Sequence, residues 1–169
     1  EQYLGIVSSA LEAGIVPRCH FEDITRADFY GFVLPFVNKL MELSKQAKMP
    51  VKVRACDTLG LGVSIPGVVL PRSVPQIIYG LVNYGELPSE WLEWHGHNDF
   101  YRAVTNSTTA WLYGAANVNT SLLGIGERTG NTPLEAMVME YVQLRGDSGG
   151  MDLRVITEIA EFFENELNY

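Results

Sequence analysis

Trp91-Leu-Glu-Trp-His-Gly-His-Asn-Asp99 is the stretch on which the fold of this 169-residue chain turns. Trp91, Leu92 and Trp94 give it strand composition, and apolar side chains lead directly into two imidazoles. Successive side chains of a strand point to opposite faces, so His95 and His97 project one way and Gly96 the other. Two neutral imidazoles side by side supply half of a divalent-metal site, with oxygen groups of Asn98 and Asp99 close by. The spacing taken alone equally suits a surface or core histidine pair.

Working outward, strand-like and helix-like segments alternate. Residues 2–13 read as a short amphipathic helix stopped by Gly14, and 15–21 as a strand. Thr25 or Asp28 is placed to cap a long helix through about Lys48, with Phe29, Phe32, Val33, Phe36, Val37, Leu40 and Leu43 at helical spacing as a core stripe. Pro50 ends it. A strand follows at 51–57, a Gly-rich loop at 59–67, a helix at about 73–84, the strand 92–97 and a helix at about 101–113. A fourth strand and loop cover 115–123, and helices at about 133–144 and 153–167 are separated by Gly146, Gly149 and Gly150.

Strand alternating with helix four times implies parallel strands joined by right-handed crossovers. Either an open doubly wound sheet or part of a (β/α)8 barrel satisfies this. Glu22, Asp57, His95, His97 and Asn131 all fall at or just after the C-terminal ends of strands, on several successive strands, which is the habit of a barrel. A whole barrel needs about 250 residues. The expected fold is therefore α/β, the second half of a (β/α)8 TIM barrel, with residues 1–169 as a single partial domain. The chain begins at Glu1 with no initiator Met and no signal-like segment, which is read as a piece of a longer protein.

Composition narrows the partners. A net charge of −8 argues against non-specific nucleic-acid binding or an anionic membrane surface. No apolar run approaches bilayer length. An anionic substrate then needs a local arrangement of donors or a bound cation. Cys19 and Cys56 fall in expected buried strands and suit reduced thiols in a cytoplasmic protein. The glycines at 124, 126 and 130 do not fit G-x-G-x-x-G, so no dinucleotide site is assigned.

Four segments carry the chemistry: Arg18-Cys-His-Phe-Glu22-Asp23-Ile-Thr-Arg26, Arg54-Ala-Cys-Asp57-Thr58-Leu-Gly60, the histidine pair, and Gly124-Ile-Gly126-Glu127-Arg128-Thr-Gly130-Asn131-Thr-Pro-Leu-Glu135. In this order and spacing they resemble the second half of the catalytic barrel shared by 2-isopropylmalate, homocitrate, citramalate and Re-type citrate synthases. That domain is also described as pyruvate carboxyltransferase or HMG-CoA-lyase-like. The runs from His20 to Arg26 and from Leu92 to His95 look most like the Re-citrate synthase branch.

The resemblance implies roles. His95 and His97 match the imidazole ligands of a divalent metal (Mg, Mn or Zn), and Asn131 matches an amide at or near the same ion. Thr58 matches a residue that hydrogen-bonds the carboxylate of a 2-oxo acid. Glu22 matches a carboxylate beside the substrate or water, and Arg128 is a substrate-binding candidate. The implied reaction is a Claisen condensation of acetyl-CoA with a 2-oxo acid, in a cytoplasmic homodimer. Lyases and aldolases usually lack the Glu127-Arg128 pair. The family's Arg-Asp-Gly-x-Gln motif and its C-terminal histidine are absent from this sequence, so the metal site is expected to be incomplete and the chain alone inactive. The alternatives are a metal-dependent carbon–carbon lyase of the HMG-CoA lyase type, and a non-catalytic fragment that binds a metal, ligand or partner.

Other readings of the same residues stand beside these. Asp23 is expected to cap a helix, and Glu22 could do so too. Asp57-Thr58 could be an ordinary turn, and Asn131 could cap the helix near Pro133. Glu127-Arg128 could be an ion pair across the barrel mouth. His20 is expected to pack in or beside the barrel.

Overall fold

The computed structural model of the chain describes residues 1–167. Four strands form one sheet: β1 (Arg18–Phe21), β2 (Lys52–Asp57), β3 (Leu92–Gly96) and β4 (Asn117–Asn119). Every adjacent pair is parallel, in the order β1-β2-β3-β4. A doubly wound sheet reverses its strand order at a switch point, whereas a barrel adds each new strand on the same side. The unbroken order is therefore the barrel's. Among the described residues, β1 and β4 each have one neighbour, so the sheet is an open part of a barrel.

The helices are α1 (Gln2–Glu12), α2 (Leu34–Ala47), α3 (Val74–Asn83), α4 (Ala103–Tyr113), α5 (Leu134–Arg145) and α6 (Val155–Glu166). None is long and apolar enough to cross a membrane. Register assigns the two faces of the sheet. Cys19, Val53 and Leu92 lie side by side, then Phe21, Ala55 and Trp94, all buried in the core with Val37, Leu40, Ile77, Ile78 and Leu81 of the helices. The opposite face carries His20, Arg54, Glu93 and Asn117 in one row and Cys56, His95 and Asn119 in the next. Arg18 and Arg54 both pair with Glu93 on this face, which keeps the nearly buried Glu93 carboxylate compensated.

Several boundaries differ from the sequence reading. β1 starts at Arg18, not residue 15, and Ile15 and Val16 are exposed. The ladder begins with the Lys52 N–H donating to the Pro17 carbonyl, shortly after α2 ends at Ala47 with a left-handed Lys48, so β2 offers nothing earlier to pair with. β4 shrinks to three residues because only Asn117–Asn119 have partners on β3. Asp28, not Asp23, caps the long helix, its side chain accepting from the Gly31 N–H at 2.8 Å. Asp23 has a left-handed backbone (φ 55°) that a cap does not use, and its carboxylate binds Arg26 instead. Residues Phe29–Val33 form a π-turn before α2. Its wider winding rotates the aromatic stripe. Phe29 and Val33 are buried, while Tyr30 and Phe32 face outward.

Candidate functional site

The strand period delivers the two histidines as expected. His95 is on β3 and His97 lies just beyond it, their Nε2 atoms 3.1 Å apart. Nδ1 of His95 contacts Oδ1 of Asn119 at 2.7 Å. An amide oxygen only accepts, so Nδ1 carries the proton and Nε2 of His95 presents a lone pair. Burial, then the adjacent His95 and Arg128, push the His97 imidazole below the ordinary histidine range, which keeps it neutral at pH 7.

The third member comes from far along the chain. His97 and Asn131 form an isolated antiparallel bridge, and the Asn98 N–H donates to the Gly130 carbonyl at 2.9 Å. This brings the Asn131 amide nitrogen to 3.5 Å from His97 Nε2, and half a turn about χ2 offers its oxygen there instead. Gly126 makes the arrangement possible, since a Cβ there would lie 1.7 Å from Asn131 Oδ1. Asn131 is therefore at the histidines and does not cap α5, which has no side-chain cap.

These residues fit a divalent ion. Neighbouring donors at right angles on an ion with bonds of about 2.1 Å sit roughly 3 Å apart, as the two Nε2 atoms do. Nδ1 of His97 is buried and has no hydrogen-bond partner among the described residues, so Nε2 is the ring nitrogen that faces the other donors. Asn119→Ala frees the His95 ring and is expected to weaken divalent-metal affinity about 10–100-fold, measured by calorimetric titration.

Glu22 and Thr58 form a second group. The Asp23 N–H donates to Thr58 Oγ1 at 2.8 Å, and Thr58 Oγ1 donates its only proton to Glu22 Oε2 at 2.8 Å. Asp57 stands under this turn, fully buried. Its carboxylate accepts from the Thr25 hydroxyl (2.8 Å) and from the N–H groups of Leu61 (2.8 Å) and Gly62 (2.9 Å). Burial pushes the Asp57 carboxyl up, and these three donors pull it partly back. Gly60, at φ +63°, passes so close to the histidine segment that a Cβ would meet the His97 carbonyl at 2.9 Å.

Arg128 ties the loops together. Its Nε donates to Asp99 Oδ1 at 2.8 Å, and Nη2 donates to Asp99 Oδ2 at 3.1 Å and to the Thr58 carbonyl at 2.7 Å. The expected ion pair with Glu127 is the weaker one, at 3.5 Å, and the main partner across the mouth is Asp99. That bond holds the Asp99 carboxyl below the usual carboxylate range. The sequence reading missed Asn119 and the Asp99–Arg128 pair as working parts. It also missed that His20 and Cys56 stand beside Glu22, with one donor atom from each of the three within 4.8 Å of the others. The only available signal was the His-x-Glu alternation at the end of β1. Cys19 and Cys56 are buried and free, as expected.

A family model described as HMGL-like matches residues 5–163. The chain is 65% identical over all 169 residues to the citrate (Re)-synthase of Clostridium kluyveri and 54% identical to that of Syntrophus aciditrophicus. It spans 37% and 27% of the lengths of those two relatives. Among solved structures it resembles the hydroxymethylglutaryl-CoA lyase of Pseudomonas aeruginosa, with a TM-score of 0.71 and 17% identity over 99% of this chain and 55% of that one. The carboxyl transferase domain of Rhizobium etli pyruvate carboxylase matches with a TM-score of 0.63 and 17% identity, over 94% of this chain and 25% of that one.

Proposed function

The chain belongs to the HMGL-like family, and on that premise we propose that the whole protein condenses acetyl-CoA with a 2-oxo acid in a divalent-metal-dependent reaction of the Re-citrate synthase type. The geometric observation that supports it is the meeting of the His95, His97 and Asn131 side chains at one point beyond β3. Condensation is favoured over cleavage by the grade of likeness. The synthases are 65% and 54% identical over the entire chain, whereas the lyase of Pseudomonas aeruginosa shares the fold at 17% identity.

His95, His97 and the Asn131 amide oxygen would hold the ion, and an N/O donor set admits Mg²⁺, Mn²⁺ or Zn²⁺. When bound, such an ion supplies Lewis-acid polarisation of a ketone beside a carboxylate. Thr58 binds the carboxylate of the 2-oxo acid. Its single hydroxyl proton is on Glu22 in the free site, so binding requires it to turn toward the substrate. The turn frees Glu22 to accept a proton from substrate or water. Arg128 keeps its positive charge at the same mouth while holding the Thr58 peptide in place. The two free, buried thiols accord with a reducing, cytoplasmic setting, and family likeness supports a homodimer.

Thr58→Val is expected to raise KM for the 2-oxo acid about tenfold, the loss of one hydrogen bond to a charged group, with metal affinity unchanged. The reaction type is tested by incubating the whole protein with acetyl-CoA labelled with ¹³C in its methyl group and each 2-oxo acid. A condensing enzyme joins the labelled carbon to the former ketone carbon. Product free of label, or cleavage of an added hydroxyacyl-CoA instead, contradicts the proposal.

A further inference from the structure

His20, Glu22 and Cys56 bring three different metal-ligand chemistries to one place outside the His95–His97–Asn131 group: an imidazole, a carboxylate and a thiol. The strand geometry builds this cluster. His20 and Glu22 alternate onto one face at the end of β1, and the register that pairs Phe21 with Ala55 sets Glu22 beside Cys56. Nδ1 of His20 lies 3.9 Å from Oε1 of Glu22. The Cys56 thiol is buried and donates to the Arg54 carbonyl at 3.7 Å.

We propose that His20, Glu22 and Cys56 form a second cation site, selective for a thiophilic divalent ion of the Zn²⁺, Co²⁺ or Cd²⁺ class. Nitrogen, oxygen and sulfur donors at bond lengths of about 2.0–2.3 Å stand roughly 3.3–3.8 Å apart around a tetrahedral ion. The present separations, up to 4.8 Å, need a contraction of about 1 Å, which the exposed His20 and Glu22 side chains can supply by rotating toward the fixed sulfur. The thiol is a poor ligand for the hard cations Mg²⁺ and Ca²⁺ and sets this cluster apart from the nitrogen–oxygen group at His95 and His97.

The charges around the cluster are compatible with a cation. Arg54 and Arg18, the positive groups that act on His20, are both already paired with Glu93. Burial and Arg54 hold the His20 imidazole below the ordinary histidine range, leaving it neutral and able to ligate. Without an ion, burial and the Glu22 charge push the Cys56 thiol well above the ordinary thiol range, so it stays protonated. An arriving divalent ion neutralises Glu22 and displaces the thiol proton to solvent as the metal–sulfur bond forms, releasing one proton per ion. An ion here also takes Glu22 from Thr58, so the site is inhibitory. This consequence, unlike the binding, rests on the roles proposed above.

The test titrates Co²⁺ into the whole protein carrying His97→Ala, which disables the other site. The expected result is a near-ultraviolet thiolate-to-Co²⁺ charge-transfer band saturating at one ion per chain. Adding Cys56→Ser abolishes the band, and adding His20→Ala weakens binding at least about tenfold. No band in the His97→Ala protein, or a band that survives Cys56→Ser, overturns the site. Should His97→Ala fail to fold, ¹¹³Cd NMR of the unmutated protein decides: a sulfur-shifted resonance lost in Cys56→Ser supports it, and nitrogen- and oxygen-type resonances alone overturn it. Inhibition by Zn²⁺ beyond the activating ion is expected to disappear in Cys56→Ser. A Cys56-dependent band without inhibition overturns the inhibitory consequence and leaves the site standing.

Discussion

His97→Ala in the whole protein is expected to lower divalent-metal affinity by more than about 100-fold and to remove thiol release from acetyl-CoA with it. The effect is large because His97 joins the other members of the proposed metal group. Its Nε2 faces His95 at 3.1 Å and Asn131 at 3.5 Å, and its backbone bridges to Asn131. The bridge is made by backbone groups, so both His97→Ala and His95→Ala should lose the ion but keep the loop. The pH dependence has a definite sign. Burial, His95 and Arg128 hold His97 below the ordinary imidazole range, so protonation competes with the ion only at more acidic pH. The metal-free His97 ring should stay neutral as pH falls through the usual histidine range and take up its proton only beyond it. An NMR titration of the His97 ring tests the point, and a midpoint at the ordinary histidine value would contradict it.

Asp57→Ala is expected to destabilise the fold by about 3–5 kcal/mol, because it leaves the Leu61 and Gly62 N–H groups and the Thr25 hydroxyl without their acceptor. Thermal unfolding should show a midpoint roughly 6–20 °C lower. Asp57→Asn should restore part of the loss, since an amide keeps one oxygen but turns a donor toward another donor. Burial raises the Asp57 carboxyl, so the folded state holds its proton more tightly than the unfolded chain. Its contribution to stability is therefore fully present below the unfolded carboxylate range and declines as pH rises through the folded value. Asp57→Ala should flatten that slope. An unchanged midpoint would mean that the Thr58–Gly62 turn is held by other contacts.

What was legible in the sequence is what depends on local periodicity. The period of two placed His95 and His97 together, and the placement of polar residues at strand ends selected a barrel order that the sheet bears out. Legibility failed where a partner distant in sequence decides. Ile15 and Val16 have strand-forming side chains, but β2 supplies no residue for them to pair with. Asn131 reads as a helix cap by its position near Pro133, yet a bridge to a residue 34 positions earlier claims it. The Arg128 guanidinium reaches the Thr58 carbonyl 70 positions away, and Asn119 reaches His95 over 24. Neither contact has a sequence signature. The aromatic stripe after Asp28 failed for a local reason, because the π-turn changes the winding that spacing arguments assume.

The most direct measurement is thiol release from acetyl-CoA by the whole protein, with pyruvate, oxaloacetate, 2-oxoglutarate and 2-oxoisovalerate offered separately, before and after chelation. Release is expected with one of these acids, abolished by the chelator and restored by Mg²⁺, Mn²⁺ or Zn²⁺. Release that is indifferent to chelation, or none with any acid in the presence of metal, would contradict it.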